Sequence, residues 1–313
     1  MLQLSVIVVN WNVRELLRTC LKSVQAELAA LPPEEVEVIV VDNASRDASV
    51  EMLGAEFPGV RRIVNVANVG FGAANNQALM ESDGRYVLFL NPDTEVRAGA
   101  IGRLLAFIDQ RPRVACVGPR LLNPDGSTQP SRRGFPGVAT AFVESTVLQR
   151  HLGGLRALRR FYRGGQPEDQ PQRVDWLVGA CLLVRRSALD EVGAFDERFF
   201  MYSEEMDLCY RLREAGCEAW YVPEAEVVHH EAASSSQDLF RRNVNFHESR
   251  YRFFRKHHGA APALVLRWFV FGTFLFQMAE EAAKFLLQPA KRPMRRERVH
   301  LYSRIVKWYL SAS

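Results

Sequence analysis

The chain has 313 residues, of which 48% are hydrophobic and 24% are charged. This composition excludes a disordered chain, a collagen-like chain and a small disulfide-stabilised protein. The length is enough for one large α/β domain with an appendage. The formal net charge of +4 is too small to indicate a nucleic-acid-binding protein.

Two segments concentrate the positive charge. Residues 149–167 contain five arginines and no acidic residue, and residues 284–307 contain eight lysines and arginines with one acid, Glu297. No recognised nucleic-acid-binding module accompanies them, so we expect no nucleic-acid partner. The five cysteines show neither a C-x-x-C pair nor zinc-ligand spacing, which predicts reduced thiols in a cytosolic protein.

Two apolar runs are candidates for a targeting or membrane segment. Leu4–Val9 lacks a preceding basic segment and ends in Asn-Trp-Asn, so it predicts a first strand and not a signal peptide. Trp268–Ala279 has 12 residues between Arg267 and Glu280, whereas a spanning helix needs ~20. We therefore expect no membrane crossing.

The first 120 residues alternate between short apolar runs and amphipathic stretches. The apolar runs predict strands at Leu4–Val9, Val36–Val41, Arg61–Val66, Tyr86–Leu90 and Val114–Val117. The stretches between them predict helices at Arg14–Ala29, Ala48–Ala55, Gly72–Glu81 and Ala98–Gln110. This alternation is typical of an α/β fold with a mainly parallel central sheet flanked by helices. Ligands of such sheets bind at the carboxyl ends of the strands, where this chain carries polar clusters.

From residue 119 to residue 171 the chain is rich in Pro, Gly and Arg, with one predicted helix at 138–158. A strand at 174–184, a helix at 186–192, a helix ending near 215, two long helices at 238–258 and 262–287, and a basic tail follow. We predict a catalytic domain at 1–237, with a nucleotide-binding half at 1–118 and an acceptor half at 119–237. Residues 238–313 form a helical, basic appendage.

Two strand ends carry chemistry that the residues alone leave open. Asn91-Pro92-Asp93-Thr94 either forms a turn or places a carboxylate that holds a hard divalent metal ion on two phosphates. Asn68–Asn76 contains Gly70-Phe71-Gly72, but Asn75 stands at the third glycine position of the dinucleotide fingerprint. The segment predicts either a helix N-terminus near phosphates or a simple capped loop.

Two later clusters carry ionisable side chains. Glu204-Glu205-Met206-Asp207 forms either a solvated acidic first turn of a helix or a partly buried group with raised pKa values, suited to a general base. Asp207 fits best as the partner of Arg211, one turn later. His229-His230 provides a metal ligand, a base or an ordinary surface pair.

These clusters occur in one order, and together they resemble the family 2 inverting glycosyltransferases of the GT-A fold. The set comprises Asn10-Trp11-Asn12, Asp42-Asn43-Ala44-Ser45, Asn68–Gly72, Leu90–Asp93, Glu204–Arg211 and His229. The resemblance covers roughly residues 3–235 and is nearest to the rhamnosyltransferase-like branch that acts on bacterial surface polysaccharides.

The resemblance implies a nucleotide-sugar site at the first strand ends. Asp42 would contact the nucleobase and ribose, with Asn10 and Trp11 beside it. Asn68 and Asn75 would line the same pocket.

The resemblance also implies a metal site for Mn²⁺ or Mg²⁺. Asp93 stands at the last aspartate of the family's D-x-D motif and would ligate the ion on the diphosphate. Asn91 replaces the first aspartate of that motif and removes one anionic ligand. His229 stands where many members place a metal-binding histidine, with the adjacent His230 as its rival.

The catalytic base that the resemblance implies is Glu205, at a position where the family usually has Asp after Glu. Glu205 is one methylene longer, so Glu204 and Asp207 stay rival candidates. Gly179 and Ala180 resemble the segment beside the donor sugar.

We therefore expect an inverting glycosyltransferase that moves a hexose, with rhamnose as one candidate, from a nucleoside-diphosphate sugar to a glycan or a polyprenol-linked acceptor. The carboxylate would take the proton of the acceptor hydroxyl, and the metal would stabilise the departing diphosphate. The alternatives are a sugar nucleotidyltransferase and a non-catalytic module that binds a sugar nucleotide or a membrane.

The predicted location is the cytoplasm, with docking on the inner face of the cell membrane. The apolar stretch Trp268–Leu287 is followed by Lys291, Arg292, Arg295, Arg296 and Arg298. An apolar helix beside a basic cluster has the composition of an interfacial anchor. The other interpretation is a helix whose apolar face simply covers the catalytic domain.

Overall fold

The computed structural model describes residues 2–144, 146, 148–149, 154, 156–163, 166–230 and 238–311. The chain forms two compact units, the first comprising Met1–Phe135 and Tyr162–Ser234, the second Pro136–Phe161 and Ser235–Ser313. This division differs from the predicted one in residues 136–161, which we assigned to the catalytic domain and which belong to the second unit. The predicted boundary at residue 237 lies outside the described residues.

Four parallel strands form the N-terminal half of the sheet: β1 (Leu4–Asn10), β2 (Val36–Asp42), β3 (Arg61–Val64) and β4 (Tyr86–Leu90). They pair in the order β3-β2-β1-β4. β1 and β4 are buried along their whole length, which explains their continuous apolar sequences. Asn10 lies opposite Asp42 in the register of β1 and β2, so these polar strand ends meet at one edge of the sheet.

Helices cover both faces of these strands: α1 (Arg14–Leu28), α2 (Ser49–Glu56), α3 (Phe71–Met80) and α4 (Ala100–Asp109). The apolar residues of α1 recur every three or four positions, which places Leu17, Leu21 and Val24 on one buried face. Val8 and Val9 of β1 belong to different apolar clusters, because successive strand residues point to opposite faces of the sheet. The predicted positions of these strands and helices are confirmed to within two residues.

The second half of the first unit is richer in strands than we predicted. Its strands are β5 (Thr94–Val96), β6 (Val114–Leu122), β7 (Thr128–Gln129), β8 (Arg132–Arg133), β9 (Gln172–Val174), β10 (Trp176–Leu177), β11 (Cys181–Arg185) and β12 (Glu218–His229). The sheet continues from β4 through β11, β6 and β12 to β5, and β11 is antiparallel to both of its neighbours. The α/β class is confirmed, with a sheet that is parallel in its first half and mixed in its second.

The single strand predicted at 174–184 is wrong, because the segment is divided into β9, β10 and β11. The Asp175 carboxylate accepts a hydrogen bond from the Phe135 N–H at 2.9 Å, and β10 pairs with β8 in a separate two-stranded sheet. Gly179 and Ala180 therefore lie between strands and outside the ladder.

The helices that follow α4 belong to both units. α5 (Val138–Val143) and α6 (Arg156–Phe161) belong to the second unit, and α7 (Arg186–Val192) and α8 (Glu204–Glu214) to the first. The second unit continues with α9 (Leu239–His258) and α10 (Ala260–Leu287). Part of the predicted helix at 138–158 corresponds to α5 and to the start of α6, and several residues between them lie outside the described residues.

Residues 136–161 join the second unit through Arg250 of α9. Its guanidinium forms an ion pair with Glu144 at 2.6 Å and donates a hydrogen bond to the Ala141 carbonyl at 2.6 Å. Arg250 is buried, so this tie is internal to the unit. The periodicity of the sequence does not predict a contact between residues as far apart in the chain as Glu144 and Arg250.

The basic segment at the end of the chain contains a helix, α11 (Arg292–Ser311), whose Ile305, Val306 and Tyr309 are buried. The prediction that the apolar stretch is too short to cross a membrane is wrong. α10 has 28 residues and is long and apolar enough to cross a membrane by length and composition alone. Arg267 and Glu280 interrupt the apolar run but do not end the helix.

Candidate active site

The ends of β1 and β2 form a buried polar network. Asn10 Nδ2 donates hydrogen bonds to Asp42 Oδ1 at 2.8 Å and to Ser45 Oγ at 3.1 Å. The Ser45 N–H donates to Asp42 Oδ2 at 2.9 Å. Asn10 and Asp42 are buried, and Asn10 Oδ1 has no hydrogen-bond partner. The structure thus brings these two predicted residues together, and the half-buried Trp11 follows Asn10 directly.

Asn43 organises the next loop, and the sequence analysis assigned it no role. Its Oδ1 accepts hydrogen bonds from the Val69 N–H and from Asn65 Nδ2, both at 3.1 Å. Its Nδ2 donates to Asn68 Oδ1 at 3.0 Å. Asn43 therefore ties the loop that carries Asn68 to the end of β2. The polar residues that follow β2 were the only sign of this role in the sequence. Their order in the chain does not indicate which of their side chains points inward.

Asn75 is buried inside α3, where its Nδ2 donates to the Phe71 carbonyl at 2.9 Å. The next residue, Asn76, binds the Phe195 backbone through both ends of its amide, at 2.8 and 3.1 Å. Both amides hold α3 in place. The contact of Asn75 with a nucleotide stays a prediction.

The loop before α8 packs on the turn before α3. The Phe71 N–H donates to the Phe200 carbonyl at 2.8 Å. Gly70 has a φ of +93°, and a Cβ at this position would lie 2.5 Å from the same oxygen, so the approach requires glycine. Tyr202 and Ser203 follow with φ values of +71° and +66°, which non-glycine residues rarely adopt. Strained backbone of this kind clusters at functional sites.

Asp93, after β4, faces His229, at the end of β12. His229 Nε2 lies 3.4 Å from Asp93 Oδ1, and both residues are 6% exposed. His229 Nδ1 lies 2.8 Å from Gln129 Oε1. An amide oxygen only accepts hydrogen bonds, so Nδ1 carries a proton, and in a neutral imidazole Nε2 then presents its lone pair to the carboxylate. In that tautomer two acceptors face one another, and Asp93 Oδ1 has no hydrogen-bond partner among the described residues.

The two adjacent histidines point in different directions. His230 Nε2 lies 2.6 Å from Glu95 Oε1, while only the backbone N–H of His230 reaches the Asp93 carbonyl, at 2.9 Å. Successive side chains of a strand alternate between its faces, so one histidine alone can face the Asp93 carboxylate. That residue is His229. Gln129 escaped the sequence analysis because β7 has two residues and lies 100 positions away from His229.

This pair fits a hard divalent cation. A carboxylate oxygen is a typical ligand of Mg²⁺ and Mn²⁺, and a neutral imidazole nitrogen is a typical ligand of transition-metal ions, so a bound ion would satisfy the unpartnered Asp93 oxygen. Gln129 is the kind of partner that fixes the tautomer of a metal-binding histidine. Asn91 lies beside the pair, with Nδ2 3.5 Å from His229 Nε2. Within the described ranges no three His, Cys, Asp or Glu residues form a metal-binding group, so Asp93 and His229 are the two candidate ligands here.

α8 begins with two adjacent acidic side chains. Glu204 is 5% exposed and Glu205 is half-buried, and within the part of the chain that the structure describes the buried Oε2 atom of each has no hydrogen-bond partner. Burial raises the pKa of the Glu205 carboxyl, and hydrogen bonds with the backbone at Glu205, Gly179 and Met206 only partly offset the rise. Burial, and then the charge of Glu205, raise the pKa of Glu204 well above its usual range. A solvated acidic turn is therefore wrong, and the partly buried alternative holds.

Gly179 and Ala180 connect Glu205 to the loop that carries Asp93. A Cβ on Gly179 would lie 3.4 Å from Glu205 Cβ, so the two residues pack directly against each other. The Ala180 carbonyl accepts a hydrogen bond from the Asn91 N–H at 2.9 Å. The break between β10 and β11 thus places the predicted base and the acceptor pair at one edge of the sheet.

Asp207 is structural. It is fully buried, and its Oδ2 accepts a hydrogen bond from Arg211 Nε at 2.9 Å, one helical turn later, as the spacing predicts. The same guanidinium donates to the carbonyls of Val192, Gly193 and Ala194 at 2.6–2.7 Å. Asp207 holds α8 against the end of α7, which leaves Glu204 and Glu205 as the candidates for the base.

Comparison with known proteins identifies the family. The model of glycosyl transferase family 2 matches residues 5–193. The N-acetylglucosaminyl-diphospho-decaprenol L-rhamnosyltransferase of Mycobacterium tuberculosis (strain ATCC 25618 / H37Rv) is 33% identical over 290 residues, covering 88% of this chain and 91% of the relative. Rhamnosyltransferase WbbL of Escherichia coli (strain K12) is 26% identical over 258 residues, covering 79% of this chain and 91% of WbbL.

Solved structures share the fold. The mannosyltransferase PcManGT from Pyrobaculum calidifontis, in complex with GDP-Man and Mn²⁺, has a TM-score of 0.55 at 17% identity and covers 98% of this chain and 87% of its own. GalNAc-T7 with UDP, GalNAc and Mn²⁺ has a TM-score of 0.58 at 15% identity and covers 97% of this chain and 55% of its own. The expected fold and enzyme class are confirmed, and the chain is a GT-A glycosyltransferase that belongs to glycosyl transferase family 2.

Proposed function

We propose that the protein transfers L-rhamnose, with inversion, from a nucleoside-diphosphate sugar to N-acetylglucosamine carried on a polyprenyl diphosphate. The Mycobacterium relative bears that activity in its name and aligns with 88% of this chain. The Escherichia relative is also a rhamnosyltransferase. The structural observation that carries the proposal is the buried pair Asp93 Oδ1 and His229 Nε2, 3.4 Å apart, which a cation between its members would satisfy.

Asp93 and His229 would hold Mn²⁺ or Mg²⁺, and the bound ion would neutralise the developing charge of the nucleoside diphosphate. Gln129 keeps the His229 proton on Nδ1, so that Nε2 stays available as a ligand. The Mn²⁺ in the two solved glycosyltransferases supports a metal requirement in general. Transfer assays in Mn²⁺ and in Mg²⁺ distinguish the two ions.

Glu205 is our candidate for the general base. The acceptor hydroxyl oxygen would attack the anomeric carbon from the face opposite to the diphosphate, and the bond from that carbon to the diphosphate oxygen would break. The hydroxyl proton would pass to the Glu205 carboxylate. This single displacement needs no covalent intermediate between the sugar and the protein. Burial raises the pKa of this carboxyl and makes it a stronger proton acceptor once ionised. Glu204 is more deeply buried and is the alternative.

Asn10, Trp11, Asp42 and Asn68 would bind the nucleotide. The Asp42 carboxylate is already oriented by Asn10 and Ser45, so the pocket is organised before a nucleotide arrives. Organisation of this kind lowers the entropic cost of binding. A polyprenol-linked acceptor would place the protein at the inner face of the cell membrane.

The test combines a panel of donors with one defined acceptor. Purified full-length protein is incubated with Mn²⁺ or Mg²⁺, thymidine, uridine and guanosine diphosphate sugars, and N-acetylglucosamine linked through diphosphate to a short prenyl chain. We expect a product of one added deoxyhexose by mass spectrometry, with inverted anomeric configuration by NMR. Transfer of another hexose, or retention of configuration, would contradict the proposal.

A further inference from the structure

The exposed residues of the helix α10 are apolar, and its charged residues are buried or half-buried. Every exposed residue of α10 is apolar: the large ones are Leu264, Val265, Trp268, Leu275 and Phe276, with two leucines at the C-terminal end, and the others are Ala and Gly. We call this surface the outer face of α10. Surface helices normally turn polar residues to water, so this pattern is inverted. A large exposed apolar surface marks an interaction site.

The ionisable side chains of α10 are engaged within the second unit. Glu281 is 6% exposed and forms an ion pair with Arg295 of α11 at 2.7 Å. The Arg267 guanidinium lies 5.4 Å from the centre of the Tyr251 ring of α9 and 5.3 Å from that of Tyr309 of α11. These contacts hold α10 against both neighbouring helices, near its two ends.

The net charge of the chain is divided between its two parts. Residues 238–311 contain fifteen Lys and Arg against five Asp and Glu, a net charge of +10, although the whole chain has only +4. The other residues therefore carry a net charge of −6. On and before α11, the side chains of Lys291, Arg292, Arg296, Arg304 and Lys307 are exposed. A helical unit with one apolar face and many exposed cations complements an anionic lipid surface.

We propose that the outer face of α10 lies in the plane of an anionic membrane, at the level of the headgroups and the upper acyl chains. This inference deepens the proposed function, because it rests in part on an acceptor that is carried by a lipid. A spanning α10 is incompatible with the contacts of Glu281 and Arg267. Those contacts would draw α9 and α11, with their exposed basic side chains, into the hydrocarbon.

A second copy of the chain is the other partner that an apolar helix face could accept. The charge of residues 238–311 opposes that arrangement, since two such units would bring +10 against +10. An anionic bilayer instead neutralises the same charge. The observations therefore favour a lipid surface.

The test uses the full chain without a sugar donor, in co-sedimentation with vesicles of phosphatidylcholine, alone or mixed with phosphatidylglycerol. We expect binding to the mixed vesicles that weakens with salt. Phe276→Glu places a charge on the outer face and should weaken binding by about 10-fold or more. Val66→Glu is the matched control, because Val66 is a fully exposed apolar residue of the first unit, and it should bind as the wild type does.

The depth of α10 in the bilayer is measured by quenching of Trp268 fluorescence with lipids brominated at different carbons. The variant Trp268→Phe identifies the share of the total fluorescence that comes from this residue. Stronger quenching from shallow than from deep bromines is expected, and the reverse would contradict the in-plane position. Equal binding of wild type and Phe276→Glu, or no binding, would overturn membrane docking. A lipid-free dimer that Phe276→Glu dissociates would assign the face to a second copy instead. Transfer to the short-chain acceptor, assayed without vesicles, tests the proposed function separately.

Discussion

The two units differ in how they treat buried carboxylates. In the second unit Glu281 and Glu144 each form an ion pair with an arginine, at 2.7 and 2.6 Å. In the first unit Asp207 is paired with Arg211 in the same way, but Asp93, Glu204 and Glu205 each keep one buried oxygen that has no hydrogen-bond partner among the described residues. Removing one partner of a buried ion pair lowers the stability of the fold. A buried acceptor without a partner lowers the stability of the fold already in the wild type. Unpaired groups therefore mark where the fold is shaped for a substrate, and paired groups mark where it is shaped for its own packing.

The largest expected effect is at Asp93. Asp93→Ala removes the anionic member of the acceptor pair, so transfer should fall by about 10³-fold or more. Metal-dependent donor binding should disappear in calorimetric titrations with and without Mn²⁺, while the Tm changes little. Asp125→Ala is the control, because Asp125 is an exposed carboxylate that binds Ser127. Full activity of Asp93→Ala after treatment with a chelator would contradict the assignment.

The next effect is at Glu205. Glu205→Gln keeps the size of the side chain but cannot take the proton, so turnover should fall by ~10²-fold or more while donor affinity persists. A base must be ionised, and burial raises the pKa of this carboxyl, so the wild-type rate should rise with pH through a pKa above 4.5. The variant should lack that rise. If Glu204→Gln is inactive and Glu205→Gln nearly normal, Glu204 is the base.

In the second unit we expect the opposite result, a loss of stability and not of chemistry. Glu281→Gln leaves Arg295 buried without its charge partner, and should lower the free energy of unfolding by about 2 kcal/mol. Urea unfolding measures the change. The double variant Glu281→Gln/Arg295→Met removes both partners and should recover part of the loss. A double variant less stable than the single one would show that the pair is not the reason.

The smallest effect tests the cost of an unpaired carboxylate. Burial raises the pKa of Glu204, so the folded protein binds this proton more tightly than the unfolded chain does. That stabilisation is complete below the ordinary pKa of 4.5 and is lost as the pH rises through the folded pKa. Glu204→Gln lacks this dependence. It should be more stable than the wild type at neutral pH, and the gain in Tm should shrink towards pH 4.5. A gain that is independent of pH would contradict this account.

The sequence predicted those parts of the fold whose physical cause is local. β1 and β4 are recognisable because both faces of each strand are buried, and α1 because its apolar spacing matches a helical face. The pairing of Asp207 with Arg211 follows from the geometry of one helical turn. The ordered polar strand ends also located the edge of the sheet at which Asp42 and Asp93 lie.

The features that escaped prediction depend on contacts between distant segments. Gln129 orients His229 from a two-residue strand that has no periodicity of its own. Residues 174–184 read as one strand because the pairing of β10 with β8 is decided elsewhere in the chain. The inverted polarity of α10 was hidden for a similar reason, since only the structure shows that Arg267 and Glu281 face protein.

The two adjacent histidines at the end of β12 affect how the chain tolerates a one-residue deletion. β12 already absorbs register shifts between Glu218 and Ala219 and between Val222 and Glu226. If the chain lost one residue at the second shift, the strand end would slide by one position and His230 would occupy the place that His229 holds now. Such a deletion would therefore keep an imidazole opposite Asp93.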